Sequence, residues 1–147
     1  SKEETAMVQL IVGKKGKGKT KYLLDKVNTA IKDVSGNIVY LDKSSKHMYE
    51  LNNKVRLIDV SVFPLKNSDE FIGFVCGILS QDHDLEQMYL DSFLRLSRLE
   101  GNEGMIDDCV SQLENVSKLF HVDFVLSVSM DKEELSAGLQ EKVILAL

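Results

Sequence analysis

Apolar positions along this chain follow two rhythms, and the switches between them mark out its elements. Residues 7–12 are almost wholly apolar and stop at Gly13. A run that short and dense predicts a strand buried on both faces. From Lys19 the period lengthens, with Leu23, Val27, Ala30, Ile31 and Val34 on one helical face and Gly36-Asn37 closing the helix. Residues 38–41 and 55–60 predict two further strands, separated by a polar loop with room for one helical turn. Ser68 or Asp69 is placed to cap a helix that turns Phe71, Phe74, Val75, Ile78 and Leu79 inward. Gly73 and Gly77 would each cost that helix about 1 kcal/mol, so a strand over 71–79 stays open as the alternative. Residues 85–90 predict a short strand ending at Asp91, and residues 92–104 are mixed. Ile106, Cys109, Val110, Leu113, Val116 and Phe120 form the cleanest amphipathic helix. A strand over 122–128, a helix over 132–140 capped by Asp131, and an edge strand over 142–147 complete the pattern. Residues 1–6 are polar and predicted to be a flexible N-terminus, leaving 7–147 as a single domain.

Strand–helix alternation of this kind predicts an α/β fold, a mainly parallel sheet of five to six strands with helices on both faces. At 147 residues the chain can bury roughly 70% of its unfolded surface without disulfides or structural metal. Its two cysteines, Cys76 and Cys109, sit in apolar periodic segments and read as buried reduced thiols. No apolar run approaches a membrane span, and no secretory signal pattern is visible, so the expected location is cytoplasmic.

Charge sharpens the picture. The net charge of −5 argues against nucleic acid as a partner. Yet residues 14–32 hold seven lysines against one acid, Asp25, and residues 81–114 hold nine acids against Arg95 and Arg98. A basic stretch followed by an acidic one would suit phosphate and a metal ion respectively.

The basic stretch contains Gly13-Lys14-Lys15-Gly16-Lys17-Gly18-Lys19-Thr20, which fits G-x-x-x-x-G-K-[ST]. A polyphosphate needs several N–H donors converging on it, and only a glycine-rich loop turns tightly enough to supply them. The helix that follows adds its unpaired N–H groups and the positive end of its dipole. Lys19 is expected to reach the β- and γ-phosphates, and to be solvated when no ligand is bound. The Thr20 hydroxyl is expected to ligate Mg²⁺. Lys14, Lys15 and Lys17 either contact phosphate or are solvated charges that raise its local concentration.

This segment resembles the Walker A motif of P-loop nucleoside triphosphatases. The rest of the chain is similar in layout to small single-domain bacterial P-loop proteins, and loosely to the core of twitching-motility and RecA-like ATPases. The resemblance implies the three-layer P-loop fold and binding of Mg-ATP, with GTP second because the guanine-reading Asn/Thr-Lys-x-Asp pattern is absent. It also implies a second acid at the carboxyl end of an apolar strand, where it would hold Mg²⁺. Asp91, 72 residues after Lys19, is the first choice; Asp42, Asp82 and Asp59 compete, and Glu86 and Gln87 make the Asp91 strand more polar than a buried parallel strand should be.

In the additional-strand class of these ATPases a glutamate follows that aspartate and activates water, whereas here Ser92 does. The same class places the next strand beside the P-loop strand and offers a polar group to the γ-phosphate. Ser127 and Ser129 fit that part, with plain surface hydroxyls as the alternative. Arg95 and Arg98 are candidate transition-state arginines or surface ion-pair partners. The implied activity is a slow ATPase driving a protein partner or self-association, with a non-hydrolysing switch and then a small-molecule kinase as alternatives. His47, His83 and His121 make no zinc spacing with the cysteines.

Overall fold

The computed structural model describes residues 6–147. Six strands form one sheet: β1 (Val8–Val12), β2 (Asn37–Asp42), β3 (Arg56–Asp59), β4 (Leu85–Leu90), β5 (Asp123–Val128) and β6 (Val143–Ala146). All pairings are parallel, in the order β3-β2-β4-β5-β1-β6. The helices are α1 (Lys19–Ala30), α2 (Ser68–Ser80), α3 (Phe93–Leu96), α4 (Ile106–Phe120) and α5 (Ala137–Gln140). Of the six residues expected to be flexible, 1–5 lie outside the described residues; Ala6 is buried.

Alternation along each strand divides the apolar side chains between two faces. On one face Leu10, Val12, Leu90 and Leu126 pack with Phe71, Val75 and Leu79 of α2 and Val110 and Leu113 of α4. On the other, Ile11, Ile38, Tyr40, Tyr89 and Val125 pack with Leu23, Leu24 and Val27 of α1. Helices therefore cover both faces, as the α/β pattern requires.

Several local expectations need correction. The first helix ends at Ala30, and residues beyond Ile31 form turns. Gly36 leads into β2 instead of ending that helix. A Cβ there would stand 2.0 Å from the Asp84 carbonyl oxygen, so only glycine lets the two backbones approach. The Gly36 N–H donates to Glu86 Oε2 at 2.5 Å. The polar residues at the start of β4 are thus explained by their bonds. Glu86 clamps this turn, and Gln87 accepts from the Tyr89 hydroxyl at 2.8 Å.

The cap of α2 is neither Ser68 nor Asp69 but Asn67, whose Oδ1 accepts from the Glu70 N–H at 2.9 Å. The strand alternative for 71–79 is excluded. Phe71, Val75 and Leu79 recur every four residues on the buried face, while Gly73 and Gly77 sit exposed. The predicted helix over 132–140 is broken. Asp131 and Glu134 form a capping box for one short turn, then Leu135 turns extended and buries its side chain, and Ser136 starts α5. The mixed stretch hides α3, where Phe93, Leu94 and Leu96 are all buried.

Candidate functional site

β5 lies between β4 and β1, so the carboxyl ends of these three strands and β2 open onto one rim. The glycine-rich loop leaves β1 there. Gly13, Gly16 and Gly18 take φ of 149°, 84° and 90°, values that a side chain would strain. Gly13 is also hemmed in, because a Cβ would lie 3.1 Å from both Cβ and the carbonyl oxygen of Leu147. Helix α1 starts at Gly18 with no side-chain cap and no acid in its first turn. Its first N–H groups therefore remain available to an anion.

Lys19 is not solvated as expected. It is 7% exposed, and its Nζ donates to the carbonyls of Gly13 (2.6 Å) and Lys14 (3.1 Å). Burial lowers its pKa below the ordinary 10.5, with the nearby charge of Asp91 opposing and those of Lys43 and Lys15 adding. The amine bridges its own loop, poised at the loop's mouth.

Asp91 is 3% exposed and held by three hydroxyls from three elements. Thr20 Oγ1 donates to its Oδ1 at 3.1 Å, Ser127 Oγ donates to the same oxygen at 2.9 Å, and the Tyr40 hydroxyl donates to Oδ2 at 2.7 Å. Ser127 in turn accepts the Ser92 N–H at 2.7 Å. Burial first, then the charge of Asp91 and that hydrogen bond, raise the Tyr40 pKa, so its phenol stays a donor.

Beside Asp91, at the end of β2, stands a second buried carboxylate. Asp42 is 2% exposed. Its Oδ1 accepts from the Lys43 N–H at 2.7 Å, while Oδ2 has no partner. Burial and then the charge of Asp91 raise its pKa. The two carboxylates lie at the ends of neighbouring strands and repel one another, and one Asp42 oxygen is left without a partner. Among the described residues no group of three or more His, Cys, Asp or Glu could hold a metal ion.

A groove of about 700 Å³ lies over this rim. Lys15, Gly16, Gly18, Lys19 and Thr20 form one side, and Asp91, Ser92, Ser127 and Ser129 form its floor. Arg95 lines it too. Gly13, Lys14 and Lys17 do not. Gly13 acts through its carbonyl on Lys19, Lys14 ion-pairs with Asp131 at 3.6 Å, and Lys17 is exposed. Arg98 is turned away and bonded to the Leu65 carbonyl. Of the competing acids, Asp82 lies before β4 at the opposite end of the sheet, bonded to Asn37 and Arg56. Asp59 accepts from Ser61 on the outer strand β3.

Tyr40, Lys43, Glu100 and Glu103 are not among the residues that the sequence pattern singles out. Lys43, Glu100 and Glu103 line the groove. Only Tyr40 carries a signal in the sequence, a hydroxyl inside an otherwise aliphatic strand. The other three enter because loops fold over the rim. The chain matches no protein-family model, and no curated protein matches it.

Proposed function

We propose that this protein binds a nucleoside triphosphate with Mg²⁺, ATP ahead of GTP, and is a P-loop ATPase of low intrinsic turnover whose bound state acts on a protein partner or on a second copy. The observation that carries the reading is the 3.1 Å approach of Thr20 to Asp91, 71 residues apart, directly below a glycine-rich loop that ends in an uncapped helix. The loop N–H groups and α1 would receive the phosphates. Lys19 would exchange its two loop carbonyls for phosphate oxygens, and the bound anion would restore the charge that burial disfavours. Thr20 and Asp91 would hold Mg²⁺, with Asp42 in second rank; the ion would neutralise charge on the phosphates.

Low turnover follows from Ser92. It occupies the place where a water-activating glutamate would stand and spends its N–H on Ser127. Arg95 reaches the groove from an exposed position, suited to a partner-dependent contact with the γ-phosphate.

The test is thermal denaturation with ATP, ADP, GTP and GDP, with and without Mg²⁺, then phosphate release on the same sample. ATP at 100 times its Kd should add about 2.7 kcal/mol, and Lys19→Ala should remove most of that gain. Release should stay below about 0.1 s⁻¹, in the range between intrinsic and assisted phosphohydrolases. Absence of any shift at millimolar nucleotide would refute the reading. Release of tens per second from dilute protein would refute the low turnover and make Glu100 and Glu103 the first carboxylates to replace.

A further inference from the structure

A second groove of about 640 Å³ adjoins the first and shares Lys43, Arg95 and Glu100 with it; Ser61, Leu96 and Arg98 complete its walls. Its size falls within the range of about 300–1,000 Å³ usual for small-ligand sites. Three cations face one carboxylate. None of the three cations forms an ion pair with a described residue, although the whole chain carries a net charge of −5.

Arg98 is the most constrained of the three. Its backbone holds φ at 62°, a left-handed conformation rare for a non-glycine residue and often found where structure serves a site. Its Nε donates to the Leu65 carbonyl at 2.8 Å, and its Nη1 to the carbonyls of Arg95 (2.8 Å) and Leu96 (3.4 Å). Carbonyls orient the guanidinium without neutralising it, and Nη2 has no hydrogen-bond partner among the described residues. Arg95, exposed and without a side-chain hydrogen bond, can close on a ligand. Lys43 stands on the wall common to both grooves. A planar fork fixed in place, a second fork exposed beside it and a lysine form a pattern that recognises a phosphate group.

We propose that this groove binds the phosphate group of a small phosphorylated molecule. The binding itself stands apart from the nucleotide reading; the placement of that molecule beside the γ-phosphate rests on it. The protein would then hold two anionic ligands side by side, with Lys43 and Arg95 between them.

The experiment titrates inorganic phosphate by calorimetry into Lys19→Ala protein and into wild type saturated with a non-hydrolysable Mg-ATP analogue, so that the first groove is disabled or filled up to its γ-phosphate position. Saturable millimolar binding is expected in both. Arg98→Gln in each background should weaken it about tenfold or more, the loss of a charged hydrogen bond, while leaving the nucleotide-dependent thermal shift intact, because Arg98 does not line the first groove. Should Arg98→Gln fail to fold, Ser61→Glu, at an exposed position that lines only the second groove, puts a repelling charge there and should weaken phosphate binding to the same degree. No saturable binding, or binding indifferent to these substitutions, overturns the proposal. Phosphate binding without any nucleotide shift would leave this groove standing and remove the triphosphate reading; a nucleotide shift without phosphate binding would do the reverse.

Discussion

Asp91 meets Thr20, Ser127 and Tyr40 within hydrogen-bond distance, and Tyr40, the donor to Oδ2, is fully buried. Tyr40→Phe would leave Asp91 Oδ2, on a residue only 3% exposed, without its protein donor. A buried acceptor left unpaired costs about 1–3 kcal/mol. Tyr89 makes an instructive control. It stacks on Tyr40 with ring centroids 6.2 Å apart, but its hydroxyl meets only the half-buried Gln87. Tyr89→Phe should therefore cost less, about 0.5–1.5 kcal/mol. Urea unfolding of the two variants checks the order; equal losses would mean that the Tyr40–Asp91 bond is not special.

At the scale of elements, helix ends decide more than helix interiors. α2 begins at Asn67 because its side chain reaches the Glu70 N–H, with Asp69 and Glu70 adding negative charge to the first turn. Asn67→Ala should cost about 1 kcal/mol, whereas Ser68→Ala should change stability by no more than about 0.5 kcal/mol. Urea midpoints of the pair test this, and a larger loss at Ser68 would overturn the cap assignment. α1 shows the converse. Its N-terminus has neither cap nor acid, a deficit that an arriving anion would make good. α3 is a four-residue helix framed by two left-handed non-glycine residues, Ser92 (φ 59°) and Arg98 (φ 62°). Its buried Phe93, Leu94 and Leu96 anchor the segment that carries Arg95 between the two grooves.

For the molecule as a whole, the rim of the sheet is where stability is given up. Asp42 is buried with one oxygen unpartnered, and its carboxyl pKa is raised above the ordinary 3.8, by burial first and Asp91 second. Between those two values the folded protein holds more protons than the unfolded chain, so stability falls as pH rises through that window. Asp42→Asn removes the ionisation. The variant should be more stable than wild type at about pH 7, and the gap should close as pH falls toward the ordinary carboxylate value. Urea midpoints across that range check both signs; a variant weaker than wild type at neutral pH would mean that the carboxylate is compensated. Asp42→Asn should also weaken Mg²⁺-dependent nucleotide binding less than Asp91→Asn, since only Asp91 touches Thr20.

What the sequence by itself determined was local in origin. Dense apolar runs set the strands, the 3.6-residue period set α1 and α4 and favoured α2 over the strand that Gly73 and Gly77 left open, and the glycines before Lys19 and Thr20 marked a loop that takes positive φ angles. Backbone sterics and side-chain periodicity act over a few residues, so one chain suffices to read them. Asp91 was within reach because it ends a strand, but Asp42 and Asp59 end strands too. Its interval from Lys19 put Asp91 first, but which carboxylate meets Thr20 and Ser127 depends on the strand order, with β5 between β4 and β1. Tertiary structure alone decided the burial of Lys19, the partner of Tyr40, the break at Leu135, and the groove that joins Lys43 to Arg98. Each depends on which distant backbone lies alongside, and that is set by burying the whole sheet between helices, a free energy no short window of sequence contains.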